Sequence, residues 1–383
     1  MTPKGYAFIH PLLGHNDICA GYLLEHAPDT VPANADGHLF EHPQFTELDH
    51  RLPWFVPATR LETTDPERII ATFQASKAQD TCELEANLRQ ARRRLALETS
   101  ASNKLPATGT WDHLLITISQ ARTQPPFSLY GLSTRTQLVA TGVQNHSDRD
   151  WALANACTLT TGEYLTTRSV SGKKSDTTRQ KMLRLLALIA QDADTGKLDD
   201  IFRQEAKLSY SLLRLVNSAA IAPRTPITSF AQAINLLGRR QLERWLQLLI
   251  YADPENGHNP NPLLYKAAVR GRLMELLTPH LQPPPELPNL TDSAFMIGCF
   301  SLLDVLLNIS MPEILQQLPL AASMNNALAH HAGPAGKLLL ALEAMDRRNL
   351  AVAEQLLGEL ALDPTQVLDA QMQALSWAGR IHA

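Results

Sequence analysis

The sequence contains thirteen histidines, so a metal site is the first chemistry to test. His10 and His15 are five residues apart, in a segment that the pattern predicts as a strand and then a turn. His330 and His331 are adjacent, and adjacent helix positions point about 100° apart, which suits one metal ion poorly. The sequence has no HExxH, and the dipeptide His-Asp, typical of hydrolases with paired metal ions, does not occur. We therefore predict surface and turn histidines rather than a metal site.

Nucleophile and phosphate-binding signatures are also absent from the sequence. It contains no GxSxG, GxxxxGK[ST] or GxGxxG, so nothing supports a lipase, a P-loop enzyme or a dinucleotide-binding fold. The pairs Asp192/Asp194 and Asp199/Asp200 lie in polar runs at predicted helix ends, where carboxylates usually cap a helix or face solvent.

Two basic groups could bind nucleic acid. Residues 92–94 are three consecutive arginines within a predicted helix, so their side chains fan around it. Arg239, Arg240 and Arg244 follow Gly238 in an arrangement that resembles a helix-turn-helix. The second helix continues as WLQLLI, which is too apolar to lie free in a DNA groove. We therefore predict that it packs inside the protein and that nucleic acid is not a partner.

Composition supports a folded protein with more than one domain. The chain has 383 residues, 34 basic and 38 acidic side chains, a net charge of -4 and a hydrophobic fraction of 44%. Its four cysteines are far apart, as expected of isolated reduced thiols. The N-terminus does not resemble a signal peptide. The most apolar stretch, residues 294–309, is short and contains Asp304, which favours a buried helix. We predict a cytoplasmic protein without membrane insertion.

The predicted elements change character near residue 175. Before it, short strands alternate with helical stretches, which is typical of an α/β layer or barrel. Predicted strands cover residues 6–9, 114–118, 127–130, 137–140 and 158–165, and a helix is predicted over 83–97. After residue 178 the pattern predicts only helices. They cover residues 208–219, 229–237, 239–250, 263–277, 292–307, 321–329, 335–345, 352–360 and 365–378.

The run from residue 208 to 250 closely resembles the HDOD domain. In that domain a helix ends in Asn-Ser, and a proline-bearing turn, a short helix, Leu-Gly and a Leu/Trp-rich helix follow. The matching residues of the motif are Asn217, Ser218, Gly238 and Trp245. Asn217 competes for backbone hydrogen bonds where its helix ends, and Gly238 suits a left-handed helix terminus. Downstream, the segment around Arg270 and residues 295–320 resemble the HDOD subgroup that follows an EAL-type domain.

The first half resembles an EAL domain, a TIM-like barrel that in its full form hydrolyses cyclic di-GMP. The segment YAFIHPLLGHNDICAGYLLEH resembles its opening strand and hairpin. Residues 93–101, 114–119, 138–148 and 159–165 follow in the order of its later strand motifs. The half is shorter than a full barrel, which predicts the loss of strands or helices.

The resemblance implies metal ligands and catalytic groups at positions where this sequence differs. Leu23 stands where the family has its naming glutamate, and Glu98 and Thr99 stand for a pair of aspartates. The remaining substituted positions are Thr117, Ser119, Thr141, Gln144 and Thr161. Two metal ions need several carboxylates to activate a bridging water, and Glu98 alone is too few. We therefore predict neither metal nor other cofactor.

These observations predict an α/β domain followed by an all-α domain. Residues 1–172 form a degenerate, shortened TIM-barrel-like EAL domain, and residues 175–383 form an all-helical HDOD domain. The predicted function is a catalytically inactive bacterial signalling protein that acts through a protein partner. An alternative is an effector that binds cyclic di-GMP in the barrel without hydrolysing it. A third reading is an active hydrolase, in which turnover would depend on Glu98.

Overall fold

The structure, a computed structural model, describes most of the first half of the chain and most of its C-terminal part. The described residues are 5–27, 39–60, 67–77, 81–99, 104–125, 127–168, 230–249 and 262–380, with scattered residues between 183 and 251. The chain divides into two compact units. The first comprises Met1–Thr167 and Ala344–Glu354, and the second comprises Arg168–Glu343 and Gln355–Ala383.

The first unit is built around a closed barrel of eight strands that neighbour one another in chain order. The strands are β1 (Ala7–Leu13), β2 (Cys19–His26), β3 (Trp54–Pro57), β4 (Ile69–Gln74), β5 (Leu95–Glu98), β6 (His113–Thr117), β7 (Gln137–Thr141) and β8 (Cys157–Thr161). β1 is antiparallel to β2 and to β8, whereas β2 to β8 pair in parallel. Closure leaves no strand edge exposed to other chains.

A layer of apolar side chains, one from each strand, fills the middle of the barrel. Its members are Leu12, Leu23, Phe55, Ile70, Ala96, Leu115, Val139 and Leu159, each at most 5% exposed. Alternating strand geometry points these side chains inward, and their volume makes the barrel interior a packed core rather than a pore.

The predicted shortening affects the connections between strands and not the strands themselves. The barrel closes with all eight strands, but its helices are short. They are α1 (Pro43–Glu47), α2 (Cys82–Gln90), α3 (Ile118–Arg122), α4 (Ser128–Ser133) and α5 (His146–Ala154). The longest of these described helices, α2 and α5, have nine residues each. The helical layer around the barrel is therefore thin.

Two predicted elements of the first half are wrong. The helix predicted over residues 83–97 ends at Gln90, because Arg92 takes a left-handed backbone with φ of 57° and the chain then enters β5. The aromatic run at 127–130, predicted as a strand, instead opens α4. Phe127 has a φ of 64°, a left-handed conformation that cannot continue a strand.

The second unit is helical throughout its described part, as the pattern predicts. The described helices after the barrel are α6 (Phe230–Leu237), α7 (Arg239–Leu249), α8 (Pro262–Leu277), α9 (Leu290–Phe300), α10 (Leu303–Leu307), α11 (Met311–Leu315), α12 (Ala322–His330), α13 (Gly333–Asp346), α14 (Leu350–Glu359) and α15 (Pro364–Gly379). The end of α13 and the first half of α14 belong to the segment Ala344–Glu354 of the first unit. One predicted helix, over residues 292–307, is divided into α9 and α10. The predicted helix at 208–219 lies almost wholly outside the described residues.

Helices α8 and α9 approach each other closely at a pair of glycines. A Cβ added to Gly298 would lie 2.6 Å from the carbonyl oxygen of Arg270 and 2.7 Å from the Cα of Gly271. The apolar stretch Leu290–Leu307 is long and apolar enough to span a membrane by length and composition. Of this stretch, 61% is buried within the protein.

Candidate functional site

The mouth of the barrel lies at the carboxyl ends of the parallel strands, where barrels of this kind place their active sites. Because side chains alternate along a strand, the residue two positions beyond each core residue faces the lumen again. Along β2 to β8 these residues are Glu25, Pro57, Thr72, Glu98, Thr117, Thr141 and Thr161. Hydroxyl groups, rather than carboxylates, therefore form most of this ring.

The ring contains four of the positions that the sequence singled out: Glu98, Thr117, Thr141 and Thr161. Leu23 lies one layer deeper, in the apolar core. Thr99 follows β5, Ser119 lies in the first turn of α3, and Gln144 is exposed beyond the end of β7. The structure thus brings the substituted positions other than Leu23 to one end of the barrel.

Some hydroxyl groups at and next to the mouth bond to nearby protein groups, whereas those of Thr72 and Thr161 have no hydrogen-bond partner among the described residues. The Thr117 and Ser119 hydroxyls lie 3.1 Å apart, and the backbone N–H of Gln120 donates to Thr117 Oγ1 over 3.3 Å at the start of α3. Thr99 Oγ1 donates to the carbonyl of Leu115 and lies 2.6 Å from the Oε1 atom of Gln120. Thr161 is fully buried, and its hydroxyl has no hydrogen-bond partner among the described residues.

Two carboxylates of this ring, those of Glu25 and Glu98, face the lumen, and the charge of Glu25 acts on Glu98. The amide nitrogen of Gln74 donates to Glu98 Oε2 over 3.3 Å. Burial, and then the negative charge of Glu25, raise the pKa of Glu98. The His10 Nε2 atom lies 3.6 Å from Glu25 Oε2, so an imidazole from β1 borders the same group.

The most prominent contact at the mouth comes from Arg348, a residue that sequence reasoning missed. Arg348 belongs to the Ala344–Glu354 segment of the first unit. Its Nε donates to Glu25 Oε2 over 2.7 Å while a terminal nitrogen donates to Glu25 Oε1, which makes the pair bidentate. Its other terminal nitrogen donates to Glu163 Oε1 over 3.3 Å. No local signal marks this contact, because Glu25 and Arg348 are 323 residues apart in the sequence.

The arginine changes the charge state of the buried mouth. Burial alone would raise the pKa of Glu25, but the charge and hydrogen bonds of Arg348, with smaller contributions from His10 and His26, lower it overall. The two carboxylates raise the pKa of Arg348 despite its burial. Both members of the pair are therefore ionised at neutral pH, and Glu25 is committed to the arginine.

The groups that the structure describes at the mouth do not fit a two-metal centre. Such a centre needs several carboxylates directed at the same two ions. Here Leu23 has no donor atom, Thr117 and Ser119 bond to each other, and Glu25 is held by a guanidinium. Within the part of the chain that the structure describes, no three His, Cys, Asp or Glu side chains are grouped so that they could hold a metal ion.

The residues of the predicted HDOD motif lie in structural positions of the second unit. The Asn217 amide donates to the carbonyls of Leu213 and Ile227 and accepts from the Ile227 N–H, so it links the backbone at Leu213 to the backbone at Ile227. Gly238 ends α6 with a φ of 72°. Trp245 packs 5.9 Å from Trp377 between ring centroids. Ser218 lies outside the described residues.

Buried arginines account for the rest of the motif region. Arg270 is 3% exposed and donates to the hydroxyl of Ser301 over 2.7 Å. Arg244, one of the basic residues considered for nucleic acid, forms ion pairs with Glu275 and Asp292. Its side chain is only 11% exposed, so it does not contribute to a free basic surface.

Comparison with known proteins finds an HDOD domain in the region that follows the barrel. The HDOD domain family matches residues 177–253. The cyclic di-GMP phosphodiesterase CdgJ of Vibrio cholerae is 30% identical over 191 residues, which cover 50% of this chain and 43% of CdgJ. The uncharacterized protein YuxH of Bacillus subtilis is 28% identical over 213 residues, covering 55% of this chain and 50% of YuxH. The matches thus span at most half the length of these relatives.

Two solved structures share a general likeness. The EAL-like domain protein YdiV superposes with a TM-score of 0.33 and 13% identity over 42% of this chain and 90% of YdiV. The Bacillus subtilis YkuI protein, with an EAL domain and in complex with cyclic di-GMP and calcium, superposes with a TM-score of 0.30 and 14% identity. That superposition covers 61% of this chain and 73% of YkuI. The predicted fold class is confirmed by the barrel's own strand pairing and by the HDOD match in the region that follows it.

Proposed function

We propose that this chain, in which an EAL-like barrel precedes an HDOD domain, is a regulatory protein of the cyclic di-GMP-related class that does not hydrolyse the nucleotide. The name of CdgJ connects a related protein with cyclic di-GMP. The observation that supports inactivity is the composition of the barrel mouth. Of the positions that the EAL resemblance assigns to metal binding and catalysis, only Glu98 retains a carboxylate.

Catalysis of phosphodiester cleavage would require groups that this mouth lacks. A metal-bound water becomes a nucleophile at neutral pH only when the ions are held firmly by anionic ligands. The hydroxyls of Thr117 and Ser119 are neutral and bonded to each other, and Glu98 has a raised pKa, which weakens it as a ligand at low pH. We infer that the barrel has a scaffold role and that the protein acts through protein partners in the cytoplasm.

Hydrolysis of cyclic di-GMP by the full chain is the direct test. We expect no turnover above the buffer rate with Mn²⁺ at high protein concentration. The matched control is Glu98→Gln, which removes the surviving carboxylate and should leave the blank rate unchanged. Turnover by the wild-type chain that disappears in Glu98→Gln would establish an active hydrolase and contradict the proposal.

Binding without hydrolysis is the alternative, and calorimetric titration distinguishes it. A regulatory protein that acts only through protein contacts gives no heat and no thermal shift with cyclic di-GMP at about 100 µM. Saturable heat without turnover would instead establish a nucleotide effector.

We also propose the domain division at residues 1–172 and 175–383, with Ala344–Glu354 contributing to the first compact unit.

A further inference from the structure

Arg348 joins two strands that are not neighbours in the barrel. Glu25 lies near the end of β2, and Glu163 lies just after β8, with β1 between these strands in the barrel wall. The guanidinium bridges both carboxylates. The side chains of Arg348 and Glu25 are each 17% exposed and that of Glu163 is 6% exposed, so the bridge is largely withdrawn from water.

The backbone at Arg348 is held in an uncommon conformation. Arg348 has a φ of 55°, a left-handed conformation that glycine adopts without strain and that an L-residue adopts at a cost. The N–H of Arg348 donates to the carbonyl of Met345 over 2.9 Å, and the N–H of Asn349 donates to that of Ala344 over 2.8 Å. These bonds close the end of α13 and fix the turn to α14, so the turn geometry that presents the guanidinium is determined locally.

A second bond holds the same segment to the barrel. The N–H of Gly5, just before β1, donates to Glu354 Oε1 over 3.0 Å, and this contact is buried. Glu354 lies beyond the turn, in the first half of α14. The segment Ala344–Glu354 therefore contacts three neighbouring strands on the side of the mouth. It bonds just before the start of β1, near the end of β2 and just after the end of β8.

Three carboxylates approach the mouth, those of Glu25, Glu98 and Glu163. The guanidinium of Arg348 acts on all three, and the imidazoles of His10 and His26 act on Glu25. The second carboxylate oxygen of Glu163, Oε2, is buried and has no hydrogen-bond partner among the described residues. Buried carboxylates are retained in proteins when a cation or a metal ion compensates them. Here the protein supplies that cation from its own chain.

We propose that Arg348 is the resident cation of the barrel mouth and that the segment Ala344–Glu354 thereby keeps divalent metal ions out of it. A guanidinium provides one positive charge and fixed donor directions, but no open coordination position for a water molecule. The carboxylate it binds, Glu25, lies two residues beyond Leu23, the position of the family's metal ligand. The proposal goes beyond the proposed function, since it holds whether or not a nucleotide or a protein partner binds.

Manganese binding to the full-length chain tests this proposal. Electron paramagnetic resonance of free Mn²⁺ measures binding without any assay of activity. We expect no Mn²⁺ binding to the wild-type chain in the range where Arg348→Met binds, and at least about a tenfold gain in affinity for that variant. The neighbouring Arg347→Met, whose side chain is exposed, is the matched control and should behave as wild type.

A double variant keeps the outcome decisive. Glu25→Gln/Arg348→Met removes the acid and the base together, so it should fold and should lose the Mn²⁺ gained by Arg348→Met. If Arg348→Met fails to fold while the double variant folds, the unpaired carboxylate is the cause and the cation role is supported. A folded Arg348→Met without gained Mn²⁺ binding overturns the proposal. So does tight Mn²⁺ binding to wild type, or failure of both variants to fold, which would indicate a packing role.

The two proposals fail independently. Cleavage of cyclic di-GMP by the wild-type chain would contradict the proposed function, whereas the Mn²⁺ titration involves no nucleotide. A regulatory protein without a resident cation would show a blank hydrolysis assay together with Mn²⁺ binding that Arg348→Met does not change.

Discussion

Each of the two compact units contains a cluster of buried charges, and the clusters are built differently. In the second unit Arg244 of α7 pairs with Glu275 of α8 and Asp292 of α9, while Arg272 donates to Glu275 Oε2 over 2.7 Å. Two arginines thus face two carboxylates. The cluster at the barrel mouth sets the carboxylates of Glu25, Glu98 and Glu163 against the arginine at 348, contributed from a distant part of the sequence.

This difference separates a purely structural cluster from one that resembles a binding site. In a balanced cluster between neighbouring helices, the attraction between opposite charges offsets the cost of removing them from water. These ion pairs also favour one arrangement of α7, α8 and α9. Three carboxylates near the carboxyl ends of barrel strands are instead what a site for cations would present. The single arginine at the mouth binds two of them, Glu25 and Glu163, so its removal should matter more than removal of either arginine in the balanced cluster.

The largest expected effect is on Arg348. Arg348→Met leaves the buried carboxylates of Glu25 and Glu163 without their cation, and removing one partner of a buried pair costs about 3–5 kcal/mol. We expect this loss in the free energy of unfolding of the barrel unit, measured by urea denaturation. Peptide-level hydrogen exchange in β1, β2 and β8 should show the change.

Arg347→Met serves as the control for this measurement, because its side chain is exposed and most exposed substitutions change stability by less than about 0.5 kcal/mol. A cost below about 1 kcal/mol for Arg348→Met would show that the mouth tolerates its acids unpaired. Addition of Mn²⁺ should restore stability to Arg348→Met only, since a ligand of the folded state stabilises by mass action.

A smaller effect is expected in the balanced cluster. Arg244→Met removes the bonds to Glu275 and Asp292, but Glu275 keeps Arg272 and the Asp292 side chain is already 31% exposed. Loss of hydrogen bonds to charged groups then costs about 2 kcal/mol. Hydrogen exchange should locate this loss in α7 to α9. A cost equal to that of Arg348→Met would contradict the distinction between the two clusters.

The position of Glu98 near Glu25 at the mouth predicts a pH dependence of the free energy of unfolding. Burial and Glu25 raise the pKa of Glu98 above 4.5, so its ionisation destabilises the folded state, and stability is lost as pH rises from 4.5 through the folded pKa. Glu98→Gln removes the effect, and its melting temperature should therefore rise relative to that of wild type as the pH rises from 4.5 through the folded-state pKa of Glu98. A pKa that is higher by one pH unit in the folded state corresponds to a loss of about 1.4 kcal/mol.

Glu313→Gln provides a control of opposite sign. The Ser310 hydroxyl and backbone N–H lower the pKa of Glu313 in the capping box of α11, so this glutamate stabilises the fold above 4.5 and loses that effect as pH falls. Its replacement should cost more at neutral than at acid pH. A difference in melting temperature between Glu98→Gln and wild type that does not change with pH would show that folding does not raise the pKa of Glu98.

Helices of the second unit could be predicted from the sequence because their signals are local. Apolar periodicity over residues 263–277 and 365–378 gives helices that differ from the observed bounds by at most one residue at each end. Gly238, which has a left-handed backbone, ends α6 as its residue type indicates. For the barrel, the sequence predicted the fold class but not every strand. The short strands β3 and β4 have no alternation of apolar and polar residues that would distinguish them from turns of a buried helix.

The site was harder to predict than the fold. The resemblance to the EAL domain identified Glu98 and Thr117 as substituted positions of its metal site. The structure brings them to one end of the barrel, where the carboxyl ends of the parallel strands meet. The contact of Arg348 with Glu25 depends on tertiary structure alone. Arg348 has a left-handed backbone between two helices. In the sequence this turn looks like any other helix end, and no neighbouring residue indicates that the arginine side chain is largely buried.

The smallest expected effect concerns Arg168 and Asp304 in the second unit, a pair that is also far apart in the sequence. The guanidinium donates to Asp304 Oδ2 over 3.1 Å, but the two side chains are 44% and 26% exposed. Exposed pairs contribute about 0–1 kcal/mol, and salt screens them over roughly 8 Å at physiological ionic strength. We expect Arg168→Ala to cost less than about 1 kcal/mol, and to cost nothing in high salt, in urea unfolding. The cost of Arg348→Met should persist in the same salt, because the side chains of Arg348, Glu25 and Glu163 are only 17%, 17% and 6% exposed and salt screens buried pairs much less. If both costs vanished together, burial would not distinguish the arginine at the mouth from an ordinary surface ion pair.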